Sequence, residues 1–254
     1  MRRDRLIALL AGGASVLAFA PFGLFPLAFA SLAVLAWLLG RAARARDGFV
    51  LGFAWGFGAF VAGVSWLYVA LARYGGVPAP LAALAIVLFC AYLALYPALA
   101  GAAFAALRAR RAIAPVLGAA LFGALWLLSE WLRGVVFTGF PWLAIGYSQT
   151  PPSPLGGLAP VVGVYGVGGL VAFVAALLVF VPLADGLRAR RLWRPLLAIA
   201  VLFGSGAGLL GKAWTTPSGA PVAIALVQTN FEQSLKWDPQ RFDEVLRTNL
   251  ELAR

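Results

Sequence analysis

Apolar runs long enough to cross a bilayer alternate along this chain with short basic breaks, and a crossing helix needs roughly 20 such residues. The pattern predicts a mainly α fold, a polytopic transmembrane helical bundle with seven spans over 6–20, 24–40, 48–72, 78–107, 112–134, 158–184 and 193–212. The first two are short and joined by Pro21-Phe22-Gly23, which reads as a tight helical hairpin. The third and fourth are long enough to tilt or to extend past the hydrocarbon.

The pattern changes after Lys212, so residues 1–212 form one expected domain. Residues 213–221, with Thr215, Thr216, Pro217, Ser218, Gly219 and Pro221, make a linker. Within 222–254, Val222 to Gln228 is a short apolar run of the kind that forms a buried strand. From Pro239 onward, Phe242, Val245, Leu246, Leu250 and Ala253 recur at helical spacing with charges between them, an amphipathic surface helix of an aqueous domain. One strand and one helix cannot make a core, so this segment is expected to be the beginning of a second domain.

Composition sharpens the membrane assignment. At 63% hydrophobic and 11% charged, the chain holds more apolar surface than one soluble core buries, since ordinary globular chains are about 25% charged. Disorder is excluded by the same figures, and a disulfide framework by the single Cys. With no His, neither a Ser-His-Asp triad nor a His-ligated metal can be built, and any base must be Glu, Asp or Lys. No metal or cofactor site is expected.

The net charge of +11 would suggest nucleic acid in a soluble protein. Its distribution says otherwise. With a cytoplasmic N-terminus, that side carries Arg2, Arg3, Arg5, Arg41, Arg44, Arg46, Arg108, Arg110, Arg111, Arg188, Arg190, Arg191 and Arg194; the other carries Arg73, Arg133 and Lys212. This is the positive-inside asymmetry, so the basic clusters report topology and no nucleic-acid partner is expected. Ala18-Phe19-Ala20 imitates a signal-peptidase site, but Pro21 directly after it is expected to block cleavage and leave the first span in place.

Glu130 is the one acidic residue placed within a span, where a charge near the centre costs about 2.5–3.5 kcal/mol. Arg133 lies three residues on, on the same helical face and close enough to pair with it. Either Arg133 is a snorkelling anchor with Glu130 as its structural partner, or the two hold a polar headgroup or shape a substrate cavity. Beyond them, Thr138-Gly139-Phe140-Pro141-Trp142 and Gly146-Tyr147-Ser148-Gln149 mix turn residues with aromatics. The aromatics read as membrane-belt anchors, and the Gly and Pro as a re-entrant or partly unwound loop, tolerated only where protein or a cavity surrounds it.

Gly52-x-x-x-Gly56 and Gly204-x-x-x-Gly208 suggest close helix packing. Cys90, among Leu88, Phe89 and Ala91, is expected to be buried and inert. Gly211-Lys212 is followed by Ala213 and makes no phosphate-binding loop. Gln228 to Asp238 reads as a strand end entering a polar loop, where Trp237 could rest on the membrane or cap the next helix.

Taken together, Ser129-Glu130-Trp131-Leu132-Arg133-Gly134, the stretch from Thr138 to Gln149, the seven-span head and the stretch from Val227 to Asp238 resemble the bacterial apolipoprotein N-acyltransferases, across essentially the whole chain. The resemblance implies eight transmembrane helices, the eighth beyond this chain, and an extracytoplasmic nitrilase-like domain of αββα type that begins at 222–254. It implies acyl transfer from a phospholipid, typically phosphatidylethanolamine, to the α-amino group of a diacylglyceryl-cysteine apolipoprotein in the bacterial cytoplasmic membrane. A Glu-Lys-Cys triad would carry that chemistry through a thioester, with Glu as base and Lys supporting the oxyanion. None of the three is in this chain, so no catalytic residue is assigned and this chain alone is expected to be inactive. Trp237 matches a family Trp at the mouth of the active site; Glu130, Arg133, Pro141 and Trp142 match motif positions that either bind substrate or only support its cavity. A transporter and a non-catalytic lipid-binding scaffold stay open, although no internal repeat of the transporter kind is found.

Overall fold

The computed structural model describes residues 2–110, 113–150, 153–185, 189–232 and 239–253. Its helices are α1 (Arg2–Ser15), α2 (Pro26–Gly40), α3 (Ala45–Val64), α4 (Ala79–Arg110), α5 (Pro115–Val135), α6 (Ala159–Asp185), α7 (Ala189–Leu210) and α8 (Phe242–Leu252). The chain divides into two compact units, Met1–Lys212 and Ala213–Arg254.

In the first unit α3 lies along α4 on one side and α1 on the other, α5 packs on both α4 and α6, and α2 packs on α6. Small residues allow this closeness. A Cβ at Gly48 would strike the Gly101 carbonyl, one at Gly52 the Pro97 carbonyl, and one at Gly12 the Trp55 carbonyl. Without a hydrophobic force to drive helices together in lipid, such backbone approach is what holds a bundle. At about 1.5 Å per residue, the 32 residues of α4 span roughly 48 Å, more than a hydrocarbon core of about 30 Å.

The outward faces are as apolar as the inward ones. Along α4, Leu81, Leu84, Leu88, Leu95 and Leu99 are exposed while Ile86, Cys90, Leu93 and Phe104 are buried. Leucines exposed in this number would be a severe liability in water, and they suit lipid. Among the described residues, five helical stretches are long and apolar enough to cross a membrane: Ala45–Val64, Ala79–Arg110, Pro115–Thr138, Pro154–Pro182 and Leu192–Leu210.

The sequence predicts seven spans, and the difference has a physical origin. With 14 and 15 residues, α1 and α2 rise only about 21–23 Å each. A turn around Gly23, at a φ of 65°, separates them. The predicted span 48–72 is also interrupted: α3 stops at Val64, followed by one turn at Leu67–Val69 and a π-type turn at Ala70–Tyr74. Of the second glycine pair, Gly204 and Gly208 face open space, and it is Gly206 between them that meets the Pro154 carbonyl.

In the second unit, 222–232 carries no regular secondary structure, and no strand is found among the described residues. A strand needs a neighbour for its hydrogen-bond ladder, and Val222, Ile224 and Leu226 (94%) are exposed. The helical expectation is met by α8, where Phe242, Leu246 and Leu250 form an uncovered apolar row and Arg241 pairs with Glu244 at 3.1 Å.

Replacing Gly52 by Leu in the full-length protein should separate α3 from α4 and cost about 1–3 kcal/mol, the usual penalty of overpacking. Gly208→Leu, in open space, should leave thermal unfolding in detergent unchanged.

Candidate functional site

Glu130 and Arg133 sit at the end of α5, each 3% exposed. They do not pair as their spacing predicts: no ion pair joins them among the described residues. Both bind the backbone that follows instead. Arg133 Nη1 donates to the Phe140 and Trp142 carbonyls, each at 2.6 Å. Its own carbonyl accepts the Phe140 N–H at 2.8 Å. Glu130 Oε1 accepts the Ile145 N–H at 2.8 Å. Two charged side chains thus hold one loop at Phe140, Trp142 and Ile145.

That loop has no regular ladder to satisfy it. After α5 come one 3-10 turn at Val136–Thr138, a turn through Pro141 and Trp142, and a second 3-10 turn at Ile145–Gln149. Phe137, Thr138 and Leu143 have φ values of 51°, 71° and 59°, a left-handed region costly for side-chain-bearing residues. Gly139, at 79°, admits no Cβ, which would strike the Gly134 carbonyl. Such backbone persists at membrane depth only where protein serves its polar groups, and Arg133 and Glu130 do so here.

The loop has a buried root and an exposed tip. Ala144, Ile145, Gly146, Ser148 and Gln149 are buried against α6, with Gly146 touching the Val164 carbonyl. Ser148 Oγ donates to the Ile145 carbonyl at 2.7 Å and accepts from Gln149 Nε2 at 2.8 Å. Phe137 (83% exposed), Trp142 (51%) and Tyr147 point outward. Trp142 lies 5.5 Å from the Trp66 ring, Phe140 5.0 Å from Phe89, and Phe137 6.1 Å from Tyr92. The tip is therefore part of an aromatic cluster with Trp66, just past α3, and with Phe89 and Tyr92 of α4.

Beneath the root is a small cavity of about 20 Å³, lined in part by Ser15, Trp55, Trp126, Ser129, Glu130 and Arg133. Such a volume suits about one water molecule. Among the described residues, Trp126 Nε1, Glu130 Oε2 and the buried Gln149 Oε1 have no hydrogen-bond partner. The carboxylate fits because α6 has glycine opposite it: a Cβ at Gly168 would press on Glu130 Oε2. Arg133 is further held by the Phe60 ring, 5.1 Å from the guanidinium carbon.

Of the four site residues expected from the sequence, Glu130, Arg133 and Trp142 meet at this loop; Trp237 lies outside the described residues. Sequence reasoning missed Trp126, Gln149 and Gly168. Gln149 was visible only as part of the turn-rich loop, and nothing local marks Gly168 as the partner of a residue 38 positions earlier.

Apolar outward faces, an apolar core with a few buried charged and polar groups, and a braced, unwound loop define a multi-pass helical membrane protein. Residues 11–177 match the family model of the apolipoprotein N-acyltransferase N-terminal domain, and the chain belongs to that family. Proteins named apolipoprotein N-acyltransferase are similar to it from Nitrosomonas europaea (44% identical over 98% of this chain and 49% of that protein), Chromobacterium violaceum (45%, 96% and 46%) and Ralstonia nicotianae (44%, 94% and 45%). The chain spans about half the length of these relatives.

In the full-length protein, Arg133→Met should leave the partly buried Phe140 and Trp142 carbonyls without their side-chain donor at about 1–3 kcal/mol in all, and Glu130→Leu should orphan the buried Ile145 N–H at a similar cost. The double variant should lose less than the sum of the two, because both residues restrain one loop. Thermal unfolding of the three variants in detergent measures this.

Proposed function

We propose that this chain is the membrane head, and the first elements of the extracytoplasmic domain, of an enzyme that moves an acyl chain from a phospholipid to the N-terminal amine of a diacylglyceryl-cysteine apolipoprotein. The observation that carries this is its 44% identity, over 98% of its length, to a protein named for that activity. The donor is a phospholipid such as phosphatidylethanolamine, the acceptor a diacylglyceryl apolipoprotein, and the site is the bacterial cytoplasmic membrane. Lipoprotein maturation is the process served.

In this proposal α1 and α2 complete seven spans as a short hairpin, the N-terminus is cytoplasmic, and 213–221 is a linker to a nitrilase-like domain beginning at 222–254. The positive-inside bias of the loops supports that sidedness. The exposed apolar side chains of Val222, Ile224 and Leu226 are consistent with a strand whose neighbours come from elsewhere in such a domain. This chain supplies no catalytic residue; thioester chemistry belongs to the nitrilase-like part. Its own residues handle lipid: Trp142 and Trp237 contact the substrate, while Glu130 and Arg133 position the loop that presents Trp142.

Acyl transfer from phosphatidylethanolamine to a diacylglyceryl peptide is expected with the full-length protein and absent with residues 1–254 alone. Trp142→Ala and Trp237→Ala should each slow thioester formation about tenfold, the worth of roughly one aromatic contact in the transition state. An unchanged rate in both variants would remove these residues from the substrate path.

A further inference from the structure

A second cavity, of about 200 Å³, opens between the start of α1, the α2 to α3 turn and the first turns of α3. It is at the end of the bundle away from the 136–149 loop. The Val64 end of α3 leads to Trp66, which lies against Trp142, so the Ala45 end is about 30 Å distant along a 20-residue helix. The buried Leu38 and Leu51 form its apolar floor, and Asp4, Arg5, Arg41 and Asp47 line it as well.

Charges of both signs face this space, and Asp4 lies close enough to Arg41 to feel its charge. Asp47 is half-buried, and its carboxylate has neither a hydrogen bond nor an ion pair among the described residues. Arg41 at the end of α2 lies 4.7 Å over the Trp37 ring and forms no ion pair with Asp47. An occupant with only negative charge would meet Asp47, and one with only positive charge would meet Arg5 and Arg41. A ligand that carries an anion and a cation a few bonds apart answers both.

We infer that this cavity binds the headgroup of a zwitterionic aminophospholipid from the leaflet at that end of the bundle. Its phosphate meets the Arg41 and Arg5 guanidiniums, its primary ammonium donates to Asp47, and its acyl chains run along the exposed Leu6 and Leu10 of α1. Basic pockets between helices at the membrane surface commonly hold lipid headgroups. Here the unpartnered carboxylate sets the preference for an amine-bearing one. The inference rests on the membrane assignment; the proposed sidedness only names the leaflet, and the acyl-transfer reaction is not part of it.

The test uses the full-length protein in nanodiscs of mixed phosphatidylethanolamine, phosphatidylcholine and phosphatidylglycerol. A photoreactive phosphatidylethanolamine is compared with the matching phosphatidylglycerol probe, and labelled peptides are mapped by mass spectrometry. The ethanolamine probe should label peptides covering 1–10 and 38–51 several-fold more than the glycerol probe. In Asp47→Asn that labelling should fall about tenfold, as for the loss of one charge-assisted hydrogen bond, with labelling of 136–149 unchanged. Equal labelling of the wild-type protein by the two probes overturns the inference, whatever the variant's stability, and so does undiminished labelling in a folded Asp47→Asn protein. Failure of the acyl-transfer proposal would show as lost activity with this labelling intact.

Discussion

The membrane unit depends on how Arg133 is used. Its buried guanidinium gives hydrogen bonds to the partly buried Phe140 and Trp142 carbonyls. A charged donor in a low-dielectric interior forms strong hydrogen bonds, and an unpaired carbonyl there is costly. Glu130 completes the brace by accepting the Ile145 N–H. Without these contacts, a loop with three side-chain-bearing residues at positive φ would have little reason to keep its shape.

The bundle is built so that this brace can exist. Glycines bring α1 and α4 each into backbone contact with α3, whose Trp55 and Phe60 line the small cavity beside Glu130 and Arg133. Trp55 is fixed in turn by an edge-on contact with Trp126 at 5.0 Å and by a 2.9 Å hydrogen bond to Ser31, whose hydroxyl donates to the Ala11 carbonyl. From the other side, Gly168 gives the Glu130 carboxylate its space. Four helices therefore converge on two charges, and the exposed aromatic tip stands on that foundation.

Much of this was legible in the chain, and the parts that were not share a cause. Apolar runs located the long helices because a span must be apolar whatever it packs against. The run alone does not tell a long span from a shorter apolar stretch such as α1 or α2. Glu130 and Arg133 were visible as rare charges in apolar surroundings, but helical spacing suggested that they pair with each other. The structure turns both toward the following loop, because three backbone groups there had no other partner. The run from Val222 to Gln228 has strand composition, yet a strand is a property of two segments, and the second is not among the described residues. The Asp47 and Arg41 cavity was hidden in clusters that topology alone seemed to explain.

The central claim is that buried charges hold the unwound loop rigid, and backbone amide hydrogen exchange of the full-length protein in nanodiscs tests it most directly. The Phe140 and Ile145 amides should exchange as slowly as those in the middle of α5. Exchange at both as fast as in an unstructured peptide would contradict the account.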